Sequence, residues 1–86
     1  MKNKTILLVD DDVIILDEHR LSLEEYGYNV ITAHNSESAI SEVESGTEID
    51  LVLMDIELDE ERDGTETAQL ILDRINCPVL FLSVHT

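Results

Sequence analysis

The sequence has little of what specialised protein classes depend on. Its 86 residues include one cysteine, one proline, three glycines, no tryptophan, two tyrosines and one phenylalanine. The lone Cys77 excludes an internal disulfide, and no His or Cys spacing suggests zinc. A single thiol suits a reducing cytoplasm, which is the expected location. With so little proline and glycine, no low-complexity tract, internal repeat or interdomain linker is visible. Basic side chains are equally scarce: 5 Lys and Arg stand against 20 Asp and Glu, for a formal charge of −15. The acids spread over both halves, so the negative field covers the molecule, and direct binding to nucleic acid or to an anionic membrane surface is excluded. Long apolar runs are missing too. Ile6 to Val9 is cut off by Asp10, far short of a signal-peptide core or a membrane span.

What is present is enough for a core. Hydrophobic residues make up 43% of the chain, so it is no disordered acidic tail, and its length allows one small domain over residues 1–86. Thr5–Val9, Asn29–Ala33, Leu51–Met54 and Val79–Leu82 are short and aliphatic, which predicts strands. Three of them are nearly continuous in apolar character, as strands buried on both faces of a parallel sheet must be. Val13–Tyr26, Ser36–Ser45 and Thr65–Ile75 carry apolar residues at helical spacing. Ile14 with Leu21, and Leu16 with Leu23, sit two turns apart on the first. Ala39, Ile40 and Val43 form the stripe of the second, with Ser36 as N-cap and Gly46 as stop. Ala68, Ile71, Leu72 and Ile75 mark the third, with Asp63 and Glu66 in capping-box positions. The order β-α-β-α-β-α-β implies an α/β fold, an open parallel sheet with helices on both faces.

In such folds the working site lies outside the carboxyl ends of the strands, near the point where strand order reverses. Strand one runs into Asp10, Asp11 and Asp12; strand three ends in Asp55-Ile56-Glu57; strand four ends in Ser83. Asp12, directly before a helix, reads as a cap. The others bring carboxylates and a hydroxyl to one end of the sheet. Carboxylates so placed repel one another and draw in a cation, and Mg²⁺ suits an oxygen site that keeps waters and shares a phosphate.

Ile6-Leu7-Leu8-Val9-Asp10-Asp11-Asp12, Leu51-Val52-Leu53-Met54-Asp55-Ile56, Asp63-Gly64 and Pro78-Val79-Leu80-Phe81-Leu82-Ser83 together resemble the receiver domain of two-component response regulators. The resemblance implies a flavodoxin-like fold and a phosphoryl-accepting role. By it, Asp55 takes a phosphoryl group from a phosphohistidine on a sensor histidine kinase or phosphotransfer domain. Asp10, Asp11 and Asp55 hold Mg²⁺, Glu57 contributes its backbone carbonyl, and Ser83 hydrogen-bonds the phosphoryl group. Asp55-Ile56-Glu57-Leu58, Asp63-Gly64-Thr65-Glu66 and the segment 81–86 are similar to receivers of hybrid multidomain sensor histidine kinases.

The chain also departs from the family pattern. Asp59 stands where a proline is usual, and the loop before Asp63-Gly64 is one residue longer. Asp59, Glu61, Asp63 and Gly64 have calcium-loop spacing, but Leu70 occupies the position that needs a bidentate Glu. Val84 replaces a small residue, and His85 falls where the family influences attacking water. Receivers carry a further lysine-bearing strand and helix, so a receiver truncated after strand four, with the last two helices also absent, is expected. Its exposed fourth strand would then favour a homodimer, through that edge or by swapping. Two alternatives belong to other classes: a receiver-like interaction module without phosphoryl turnover, and a phosphatase with an aspartyl nucleophile. The phosphatase leaves the strand-one acidic pair unexplained.

Overall fold

The computed structural model describes residues 3–55 and 64–82. The elements run β1 (Thr5–Val9), α1 (Val13–Glu25), β2 (Asn29–Ala33), α2 (Ser36–Glu44), β3 (Leu51–Asp55), α3 (Gly64–Leu72) and β4 (Val79–Leu82). All strand pairs are parallel, in the order β2-β1-β3-β4. Chain order therefore reverses beside β1: the chain passes from β1 to β2 on one side and returns to β3 on the other. Among the described residues the fold is the expected α/β architecture of four parallel strands and three helices.

The burial pattern follows from the period-two alternation of a strand between two covered faces. Leu7 and Val9 of β1 join Val52 and Met54 of β3, Ala39 and Val43 of α2, and Ala68 and Ile71 of α3 in one cluster. The alternate residues Ile6 and Leu8 are buried on the other face, which α1 covers with Leu16. Leu7, Leu8, Met54 and Ile71 are fully buried. Each contributes roughly 1.5–3 kcal/mol through removal from water.

Local chemistry fixes where the helices begin and end. The Asp12 side chain accepts from the N–H groups of Ile14 (3.0 Å) and Ile15 (3.3 Å) and so caps α1, as its position predicts. At the other end, Gly27 adopts φ +94°, and the N–H groups of Gly27 and Tyr28 donate to the carbonyls of Glu24 and Leu23. This is a Schellman motif, whose left-handed position favours glycine. The N-cap of α2 is Asn35, one residue before the expected Ser36. Asn35 is the residue with extended backbone, and its side chain accepts from the Ser38 N–H at 2.7 Å. α3 also ends earlier than its apolar spacing predicts, because the backbone after Leu72 continues in turns bonded to Gln69 and Ile71.

Apolar side chains remain exposed at several places among the described residues. Ile14 and Leu21 share a face of α1, but that face looks outward: Ile14 is 73% exposed. β4 is an edge of the sheet among the described residues, with Leu80 54% exposed and Phe81 40% exposed. Leu72, expected in the stripe of α3, is also exposed, and Ile40 of α2 is half-buried.

Candidate functional site

The register of the sheet builds the site. Val9 of β1 lies opposite Met54 of β3, so the next residues along, Asp10 and Asp55, emerge side by side at the carboxyl end of the sheet. Asp11 follows directly. Asp10, Asp11 and Asp55 each offer a carboxylate oxygen, and the three atoms lie within 4.8 Å of one another. The group sits at the reversal of strand order, where open α/β sheets place their ligands.

The three acids differ in environment. Asp11 is exposed and Asp55 half-buried, whereas Asp10 is only 3% exposed. Asp10 is tied down twice: its N–H donates to the Ala33 carbonyl at 3.1 Å, extending the β1–β2 ladder, and its Oδ1 accepts the Asp12 N–H at 2.9 Å. Burial pushes the Asp10 carboxyl above its ordinary range. The Asp12 N–H opposes that shift, while the charges of Asp55, Asp11 and Asp12 add to it. A buried carboxylate held among other carboxylates is stabilised by positive charge. Hard oxygen donors at this spacing fit a small divalent cation better than a soft metal. What the arrangement can do is hold such a cation beside a nucleophilic carboxylate.

The structure thus brings together Asp10, Asp11 and Asp55, and assigns Asp12 to capping. Glu57 and Ser83 lie outside the described residues, as do Asp59, Glu61, Asp63, Val84 and His85. The acids of α1 lie on a solvated face, where Arg20 pairs with Asp17 (2.7 Å) and Glu24 (2.9 Å). His19 and His34 are expected at the surface from the sequence, and His34 is exposed. His19 is instead partly buried, and its Nδ1 has no hydrogen-bond partner. Sequence reasoning passed over a further feature at the same end of the sheet: the buried hydroxyls of Ser36 and Thr67 hydrogen-bond each other between α2 and α3. Spacing carried a signal for it, since Thr67 stands four residues before Ile71 and so on the buried face of α3.

The sequence model of the response regulator receiver domain matches residues 6–86. The chain belongs to that family. Among curated relatives it resembles the transcriptional regulatory protein PhoP of alkaline phosphatase synthesis in Bacillus subtilis, 38% identical over 94% of this chain and 33% of that protein. It also resembles the transcriptional regulatory protein CpxR of Escherichia coli, 35% identical over 93% of this chain and 33% of that protein. The receiver here therefore spans about a third of the length of these relatives. Among solved structures, it superimposes on the N-terminal domain of a response regulator/sensory box/GGDEF three-domain protein from Carboxydothermus hydrogenoformans. The TM-score is 0.91, with 42% identity over 96% of this chain and 66% of that one. It also superimposes on the response regulator TrrA of Thermotoga maritima, solved in complex with Mg²⁺ and BeF, at TM-score 0.84 and 34% identity over 96% and 71%. Attachment of this receiver to a sensor kinase rests on the sequence resemblance alone. Among the described residues, no helix is long and apolar enough to cross a membrane.

Proposed function

We propose that this domain is a phosphoryl-accepting switch whose acceptor is Asp55. The observation that carries the reading is the convergence of Asp10, Asp11 and Asp55 within 4.8 Å at the switch point of the sheet. A carboxylate is a competent nucleophile for phosphorus when its reaction partner is held in line and the accumulating negative charge is neutralised. Asp55 is the acid on the strand itself, half-buried and anchored by the β1 and β4 ladders on either side. It attacks the phosphorus of a phosphohistidine on a sensor kinase or phosphotransfer domain. The Asp55 oxygen–phosphorus bond forms as the phosphorus–nitrogen bond breaks, and the electron pair leaves with the imidazole, which takes up a proton.

Asp10 and Asp11 would hold Mg²⁺ together with Asp55, and Glu57 would add its backbone carbonyl. Bound there, the cation supplies charge neutralisation for the phosphoryl oxygens. The relative from Thermotoga maritima was solved with Mg²⁺ and BeF, which supports that choice of ion. Ser83 would donate to the phosphoryl group from the residue after β4. The chain acts as one domain over residues 1–86, works in the cytoplasm, and assists only its own phosphorylation and dephosphorylation.

Incubation with acetyl phosphate and Mg²⁺, read by intact mass, tests the reading. The native chain should gain one phosphoryl group, and Asp55→Asn should gain none. Multiple turnover of a phosphate ester would favour the phosphatase instead. No adduct and no turnover would leave an interaction module.

A further inference from the structure

We propose that the buried hydroxyl bridge between Ser36 and Thr67 positions the Asp10/Asp11/Asp55 site by fixing the register of α3 against α2. The inference rests on the phosphoryl-acceptor reading and extends it to two residues outside the three-carboxylate cluster. Ser36 Oγ and Thr67 Oγ1 lie 2.5 Å apart across 31 residues of sequence, and Thr67 is fully buried. The buried core of that seam, Ala39 and Val43 against Ala68 and Ile71, is apolar, and a half-exposed Glu44–Arg74 ion pair (3.7 Å) lies at its far end. Apolar contact between two helices is non-directional and tolerates small slides. A hydroxyl–hydroxyl bond is satisfied over a narrow range of distance and angle, so a buried one selects a single register.

That register matters because the bridge closes a circuit around the site. The Asp10 N–H is bonded to Ala33 at the end of β2, and Ser36 follows three residues later at the start of α2. Across the bridge, Thr67 stands three residues into α3, whose first residue, Gly64, is reached from Asp55 by the connection that leaves β3. The pairing of Val9 with Met54 completes the ring. Holding α2 to α3 therefore fixes where the chain leaving Asp55 arrives, relative to the backbone that carries Asp10.

The test compares Thr67→Val, Thr67→Ser and the double variant Ser36→Ala/Thr67→Val. Titration of MgCl₂ by calorimetry gives the Mg²⁺ affinity, acetyl phosphate gives the rate of Asp55 phosphorylation, and urea unfolding gives stability. Valine nearly keeps the shape of threonine. The double variant deletes the bridge as a unit, and its urea midpoint reads any stability cost separately from the effect on the site. Both valine variants should bind Mg²⁺ about 2- to 30-fold more weakly, the range carried by residues on a coupling network but off the site. They should phosphorylate more slowly, and Thr67→Ser should recover both properties.

A double variant with native Mg²⁺ affinity and native rate would overturn the proposal and leave the acceptor reading intact. A Thr67→Ser variant as weak as Thr67→Val would overturn it as well, by assigning the effect to the methyl group. A native chain that neither binds Mg²⁺ nor forms the Asp55 adduct would remove the acceptor reading, and the bridge's role with it.

Discussion

Replacing Asp10 with asparagine should make the metal-free domain more stable while weakening its site. Asp10 is buried, and its carboxylate oxygen lies within 4.8 Å of those of Asp11 and Asp55. Two like charges at that separation repel by roughly 0.9 kcal/mol under water-like screening and roughly 3.5 kcal/mol at an effective dielectric constant of 20. Asp11 is exposed and belongs near the lower figure; Asp55 is half-buried and falls between the two. Asparagine keeps an Oδ1 to accept the Asp12 N–H, though without the charge that strengthens this bond. The net gain for Asp10→Asn is therefore about 1–3 kcal/mol at pH 7 in EDTA, read as a higher urea midpoint at unchanged slope. The pH dependence has a definite sign. The folded-state pKa of Asp10 is raised, so ionisation destabilises the native chain as pH climbs through that value. Well below the ordinary Asp pKa of about 3.9, Asp10 is neutral in both states and the variant's advantage should vanish. Added Mg²⁺ should narrow or reverse the gap, because ligand binding stabilises whichever chain binds more tightly. An Asp10→Asn variant no more stable than the native chain in EDTA at pH 7, or an advantage undiminished well below the ordinary Asp pKa of about 3.9, would refute the reasoning.

Two further expectations concern the frame around the site. Asp12→Ala removes the side chain that accepts from Ile14 and Ile15, and should cost about 1 kcal/mol of stability by urea unfolding. Part of that loss is offset by removing one of the charges that acts on Asp10. The β4 edge, with Leu80 and Phe81 exposed, should make the 86-residue chain self-associate at high concentration, more strongly when salt screens its −15 charge. Leu80→Lys should shift sedimentation toward monomer, and a native chain that sediments as a clean monomer would dispose of the edge as a contact.

The parts of this architecture legible in sequence were those where one local rule acts without competition. Ile6 to Val9 could only be a strand covered on both sides, and Asp10 is brought beside Asp55 because parallel pairing in register leaves no other place for it. Ambiguity entered where two neighbouring residues satisfy the same rule. Asn35 and Ser36 can both cap a helix; Asn35 does, and Ser36 is drawn into the interior to meet Thr67. Helical spacing placed Ile14 with Leu21 and Leu16 with Leu23, but could not say which pair faces the sheet. Leu16 is buried and Ile14 exposed, because the orientation of α1 depends on where its cap ties it to the end of β1. The partial burial of His19 was illegible for a related reason: a single polar residue has no periodicity of its own.

The distribution of buried polar groups ties stability to function. Among the described residues, the buried polar or charged ones are Asp10, Ser36 and Thr67, and all three stand at the carboxyl end of the sheet. Burying a polar group is costly unless its partners are supplied, and burying a carboxylate beside two others is costlier still. A chain selected for stability alone would fill these positions with apolar side chains, as it does with Leu7, Leu8, Val9, Val52 and Met54 directly beneath them. Polarity confined to one end of an otherwise apolar interior marks that end as the place where geometry is held against the preference of the core. Such a site is most strained when empty of positive charge. That makes it responsive to a bound cation and then to a phosphoryl group, each of which changes the balance of charge around Asp10 and Asp55.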